Sequence, residues 1–322
     1  MSNMQIRKWL GLTGSTLVFN AALADHGPGT SGGGVGTPSG ETMKPGKFSI
    51  SVREDFTEFQ DLSEGAVTRK ATRAGDIDLL DRSYLTSISL SYGVVENFQV
   101  GLSIGYYDAE NAREAEFNPA TGETEIITFD PDGLTDMWVT AKYRFYHGPM
   151  GHFAVFGGVK VPTGKSSVYN SEGERVEPSA TAGSGAYDGM LGLAHSRFLT
   201  KQLTLDAAAQ YTLRGEHDDF RLGDRIDAGV AVAYRIVEDV EATFQPSVFA
   251  ELNFRHLFKS KEGGERDPNT GGDALFVTPG VRARFGPHLG LTVAAPIPVM
   301  QDLNGEQLET DFKLLAELNF EF

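Results

Sequence analysis

The chain has no cysteine among its 322 residues, and no stretch reaches the roughly 18 consecutive apolar residues that a membrane-spanning helix needs. The first absence excludes disulfide staples. The second leaves strands as the only route through a bilayer, and their hydropathy signal is far weaker per segment. Basic residues are also in short supply, 28 Lys and Arg against 44 Asp and Glu, and the formal charge of -16 disfavours nucleic acid as a partner. Of the few histidines, His147, His152, His217, His256 and His288 lie in or near connections with no ligand spacing, so neither a metal nor a cofactor is expected.

What the chain does have begins with an address. Arg7 and Lys8 precede a moderately apolar stretch ending in Ala22-Leu23-Ala24, the small-residue pattern of a signal-peptide cleavage site. Residues 1–24 are therefore expected to be removed on export, leaving Asp25 first. Residues 25–46 are rich in Gly, Ser, Thr and Pro, carry too little apolar surface to offset backbone ordering, and read as a flexible lead-in.

From Lys47 onward, apolar residues recur at every second position. In the last stretch Phe312, Leu314, Ala316, Leu318, Phe320 and Phe322 alternate with Lys313, Glu317, Asn319 and Glu321 among others, giving one apolar and one mostly polar face. Comparable strands are predicted at 47–56, 83–93, 97–107, 135–146, 152–162, 187–196, 203–214, 225–235, 240–255, 274–285 and 288–298, with 310–322 last. Each is about the length of a tilted bilayer-crossing strand, and an even count of about twelve suits a single-chain bacterial outer-membrane barrel. The connections alternate long and short, as in an up-and-down barrel with tight periplasmic turns and long outer loops; a Greek-key sandwich has no such parity. The predicted fold is all-β, a transmembrane antiparallel barrel over residues 47–322 in the outer membrane of a Gram-negative cell.

The alternation assigns faces as well as strands. Lys142, Arg144, Lys160, Arg214, Arg235, Arg282 and Arg284, with Asp206, Asp227, Glu251 and Glu317, fall opposite the apolar set. A Lys or Arg facing lipid at midplane costs about 2–4 kcal/mol, so these residues are candidates to line a lumen. Ion selectivity and a structural ion-pair network that plugs the barrel are both open to them. Tyr84, Tyr92, Tyr106, Tyr143, Tyr211 and Tyr234 lie near strand ends on the apolar face, where aromatic girdles sit. Leu318, Phe320 and Phe322 form the terminal pattern read by barrel assembly machinery, and this strand is expected to close the sheet. Pro246 and Pro279 sit inside predicted strands, where each removes a ladder hydrogen bond; bulges there would offer hydrophobic cargo a lateral exit.

An ordered set of segments carries a family resemblance. "PGKFSISVREDFTEF", "YGVVENFQVGLSIGY", "GLTDMWVTAKYRF", "GVKVPTG", "GSGAYDGMLGLAHS", "FVTPGVRARFG" and the ending "PVMQDLNGEQLETDFKLLAELNFEF" make roughly residues 42 to 322 similar to the meta-pathway of phenol degradation family of outer-membrane barrels. Thr135 and Met137 depart from its pattern, which would have a second glycine before Asp136 and a smaller residue after it. The resemblance implies passage of aromatic or other small hydrophobic compounds.

Three classes of function remain. The working expectation is passive uptake of a small-molecule solute, because twelve strands lie between the eight that side chains can fill and the sixteen to eighteen that leave an aqueous channel. The alternative is a plugged structural or surface-interaction barrel that meets lipid and lipopolysaccharide through acidic loops at 108–134 and 163–186. A hydrolase comes third, with no catalytic residue assigned: His195 and Ser196 are neighbours on one strand and point to opposite faces. Gly164-Lys165-Ser166 lacks the upstream glycine spacing and following helix of a phosphate-binding loop.

Overall fold

A computed structural model describes residues 34–322; the signal-peptide stretch 1–24 and the start of the lead-in lie outside the described residues. Twelve crossings form the wall: β1 (Phe48–Phe59), β2 (Arg82–Val95), β3 (Phe98–Glu110), β4 (Met137–Gly148), β5 (Gly151–Val161), β6 (Asp188–Phe198), β7 (Leu203–Leu213), β8 (Arg225–Arg235), β9 (Phe244–Leu257), β10 (Gly272–Phe285), β11 in two pieces (Leu289–Ala294 and Ile297–Leu303), and β12 (Thr310–Glu321). Consecutive strands pair antiparallel as far as β11, whose first piece pairs with both β10 and β12. β12 returns to β1 from Ser49↔Glu321 to Phe59↔Thr310, and the sheet closes.

Burial runs opposite to that of a soluble protein. Val230 and Leu191 on the outer face are 46% and 65% exposed, whereas Ala231 and Asp206 on the inner face are 0% exposed. Lipid is the solvent that this outer face fits. Both ends of the closing seam carry aromatic rings: Phe48 stacks on Phe322 at 4.9 Å, and Phe56 lies 5.3 Å from Tyr84 and 6.5 Å from Phe312. Such rings sit at the two membrane interfaces. Glu54 is an outward-facing carboxylate just below the second ring cluster, where Thr86 Oγ1 donates to it at 2.5 Å.

The short connections gather at one end, the periplasmic end by the rule for these barrels. At the other, the long loops build a cap. Helix α1 (Glu64–Ala74) ends at Gly75, whose φ of +101° suits glycine and whose N–H bonds Ala71 O. Val67 and Ala71 pack onto Ile77, Leu79 and Ala115 of a small sheet formed by residues Asp76–Leu79, Arg113–Asn118 and Glu123–Thr128.

Three expectations are corrected. Residues 34–46 are not a loose lead-in: they are ordered and largely buried inside the barrel. The ninth strand starts at Phe244 and not at 240, leaving residues 236–243 as a connection. Pro246 and Pro279 cause no bulge between β9 and β10, whose register runs unshifted through Pro246↔Ala283 and Ala250↔Pro279. The wall is broken one strand further on. At Ala295-Pro296 β11 leaves β12: its first piece pairs with Leu315–Phe320, while its second pairs only with β10. Proline has no N–H to offer a ladder, which explains a break at this position.

The sorting of faces has a direct check. Val230→Arg, at mid-strand on the outer face, is expected to destabilise the bilayer-folded protein by about 2–4 kcal/mol, while Val230→Leu changes little. Reversible denaturant unfolding from lipid vesicles measures the difference.

Candidate functional site: the barrel lumen

The lumen is occupied by the chain's own N-terminal segment. It leaves the wall at Lys47, close to Gly93, and Met43 N–H donates to Gln99 Oε1 at 2.9 Å. Lys142 Nζ donates to the carbonyls of Ser39 and Glu41 at 3.2 and 3.1 Å. Gly40 N–H donates to Ser196 Oγ at 2.7 Å, and Glu41 lies 3.5 Å from His152. Glu251 then gathers the far end: it accepts from Val35 N–H at 2.9 Å, Gly36 N–H at 2.9 Å and Thr37 Oγ1 at 2.7 Å. Hydrogen bonds to an ionised carboxylate are roughly twice as strong as neutral ones, so Glu251 acts as a latch.

The glycines of this segment permit the close fit. A Cβ on Gly40 would stand 2.5 Å from His152 O and 2.8 Å from Ser196 N, inside the wall. The composition that reads as looseness is here a condition of contact.

The remaining inward charges are tied to the wall. Asp188 accepts from Lys160 and Arg214, each at 2.7 Å, and Lys160 also meets Asp136 at 3.1 Å. Asp136 in turn accepts from Gly164 N–H at 3.0 Å and Ser184 N–H at 2.9 Å. "GLTDMW", "GVKVPTG" and "GSGAYDG" thus form one knot that holds the loop 163–187 to the barrel mouth. Thr135 Oγ1 accepts from Gly105 N–H at 2.8 Å, so the departure from the family pattern is itself a wall contact.

Asp227 pairs with Arg225 at 2.6 Å and Arg255 at 2.9 Å. Asp206 accepts from Ser196 Oγ. Glu317 lies opposite Arg53 in the closing register, and Arg282 stands 5.3 Å from the Phe249 ring centre. Arg144, Arg235 and Arg284 sit at the periplasmic rim, on Asn97, the Lys201 carbonyl and the Val240 carbonyl. Every charged residue singled out from the sequence therefore faces inward, and several hold structure together. Arg225, Asp188 and Asp136 belong with them and were not singled out; Arg225 and Asp188 open their strands, where alternation has only one neighbour to register against. His195 and Ser196 do point apart: the imidazole stacks on Phe153 at 4.3 Å on the outer face, while Ser196 faces the lumen.

Not all of the lumen is polar. Trp138, Phe156, Met190 and Ala194 form a buried apolar cluster on the inner face of β4 to β6. A cavity with about 1190 Å³ of empty space lies at the mouth between Trp138, Met190, Tyr107 and Phe258, with Lys160 and Arg214 on its wall. A second, with about 1000 Å³, lies between Arg53, Asp227, Asn253, Phe276 and Lys313 and reaches Pro296 at the break in β11. Outside that break, Ile297, Val299 and Leu314 are exposed on the lipid face.

A closed twelve-stranded barrel with an apolar belt and a charged interior defines the class: an outer-membrane β-barrel. The chain belongs to the family described as "Putative MetA-pathway of phenol degradation", whose model matches residues 98–298. Among solved structures it is similar to an outer membrane channel from Pseudomonas putida F1, with a TM-score of 0.59 and 12% identity over 86% of this chain and 96% of that one. The β domain of the Bordetella autotransporter BrkA overlaps more loosely, with a TM-score of 0.45 and 12% identity over 85% of this chain and 99% of that one. No curated protein matches by sequence.

The latch can be tested in a background that has no native thiol. In a Pro38→Cys variant, a water-soluble maleimide is expected to label slowly; adding Glu251→Ala should speed labelling at least several-fold. Equal rates would show that Glu251 does not hold the segment.

Proposed function

We propose that this protein is a channel for passive entry of small, largely apolar solutes, narrowed by its N-terminal segment. The observation that carries this reading is the break at Ala295-Pro296. It places a gap in the hydrogen-bonded wall beside the central cavity, with Phe276 and Lys313 lining the inside and exposed aliphatic residues outside. A solute that crosses the mouth cavity, past Trp138 and Met190, would leave sideways into lipid without passing the latched segment. Family membership supports aromatic compounds as cargo. Outward-facing Leu318, Phe320 and Phe322 on the closing strand support recognition by assembly machinery, and the lipid-facing belt supports outer-membrane residence.

A second reading, the plugged scaffold, is favoured by the same N-terminal segment and by the ion pairs around Asp188 and Asp227. Entry assays separate the two. Liposomes carrying the refolded protein are expected to admit a simple aromatic faster than a sugar of matched size. Pro296→Val, which restores a backbone donor at the break, should reduce aromatic entry several-fold and leave sugar entry unchanged. No entry of either solute through folded protein would favour the scaffold; an unchanged ratio in Pro296→Val would remove the wall break from the route.

A further inference from the structure

The small cap sheet has one face suited to burial and one that is not. Ile77, Leu79 and Ala115 pack under α1. On the other face Asp78 stands directly opposite Glu114, Asp76 opposite Glu116, and Glu116 opposite Glu125 in the next strand. Like charges directly across a ladder repel. Solvent does not relieve them, because the loop 163–187 is fastened to the same sheet. Ser171 N–H donates to Thr128 O at 2.9 Å, Phe129 bridges Asn170, and Val168, Val176 and Ala180 pack together with Phe129 against them. That loop brings Glu174 and Glu177 to the acidic face.

Glu114 is the focus. It is 6% exposed, and its buried Oε1 accepts no hydrogen bond; Glu174 Oε2 and Glu177 Oε1 are buried and undonated in the same way. Neither Asp78 nor these three glutamates forms an ion pair among the described residues. Burial, followed by the charges of Asp76 and Glu116, pushes the Glu114 carboxyl up to about 8. Burial and then the neighbouring Glu114 and Glu177 raise Asp78 well above the usual carboxylate range. A buried carboxylate needs a proton, a cationic partner or a metal. The donors are all hard oxygens, which disfavours soft metals; Ca²⁺ accepts six to eight such oxygens in flexible geometry, whereas Mg²⁺ demands a tight octahedron and keeps its waters.

We propose that the acidic face of the cap is a Ca²⁺ site, centred on Glu114 with Asp78, Glu174 and Glu177, that ties the loop 163–187 to the cap sheet. Among the described residues no three carboxylates already converge to ligating distance, so binding draws these side chains together and tightens the cap. The mouth cavity is lined by Leu79, Phe129 and Ala180 from the same elements, so occupancy of the site would set how freely a solute reaches the lumen. An extracellular module of this kind binds in the range of roughly 0.1–1 mM.

The test uses the protein beginning at Asp25, refolded in detergent, with CaCl₂ and MgCl₂ titrated separately at pH 8 by calorimetry and hydrogen exchange followed in Ca²⁺ or chelator. Saturable Ca²⁺ binding is expected, with exchange of residues 113–128 and 168–180 slowed about tenfold. Combined Asp78→Asn and Glu114→Gln should abolish both, and the exposed Glu123→Gln should preserve both; heat-modifiable migration of the barrel checks folding in every variant. Absent Ca²⁺ binding, or binding that survives the double substitution, overturns the proposal. An equal response to Mg²⁺ overturns the assignment to Ca²⁺. Protection gained on lowering the pH to 6, with no response to either cation, would assign the cluster to shared protons and overturn it as well.

Discussion

A backbone amide left unpaired in hydrocarbon costs several kcal/mol, and the whole molecule is arranged around avoiding that cost. The pairing of β12 with β1 removes both free edges at once, from Ser49↔Glu321 to Phe59↔Thr310. Closure fixes the pleat, and the pleat fixes which side chains meet lipid. Phe48, Phe56, Phe312 and Phe322 anchor the two ends of that seam from outside. Arg53, Glu317 and their neighbours are forced inward, where they must find partners or water.

The lumen is therefore a place of competition between satisfying charge and leaving room. Asp188, shared by Lys160 and Arg214, and Asp227, shared by Arg225 and Arg255, satisfy cations at the wall. Lys142 and Glu251 reach further and bind the N-terminal segment. What remains open is partly apolar, beside Trp138, Met190 and Phe276. The closing rule is relaxed at one place, Ala295-Pro296, and the open central cavity reaches it. A wall that is sealed elsewhere and loosened there gives a narrow barrel a way out for cargo that prefers lipid to water.

Much of the wall was legible because period-two alternation is a direct image of the pleat. Strand count, face assignment, loop parity and the inward position of each charge from Lys142 to Glu317 all follow from it. What was missed depends on contacts that have no local pattern. Residues 34–46 look like a linker because Gly, Ser and Thr bury little surface, yet Gly40 is there to let a backbone touch a backbone. Asp136 takes its meaning only from Gly164 and Ser184, far away in sequence. Pro246 and Pro279 drew attention as strand prolines, while Pro296, nearer a predicted strand end, carries the break. The cap helix and its sheet are short elements inside long polar loops, too brief for periodicity to report.

The central claim, a conducting lumen narrowed by its own N-terminal segment, is tested most directly by single-channel recording of the protein beginning at Asp25 beside one beginning at Lys47. The account predicts small but measurable conductance for the first and a clear rise for the second, with both proteins folded by heat-modifiable migration. Silence from both would contradict it and leave the barrel as a scaffold; equal conductance from both would show that the segment does not set the width of the path.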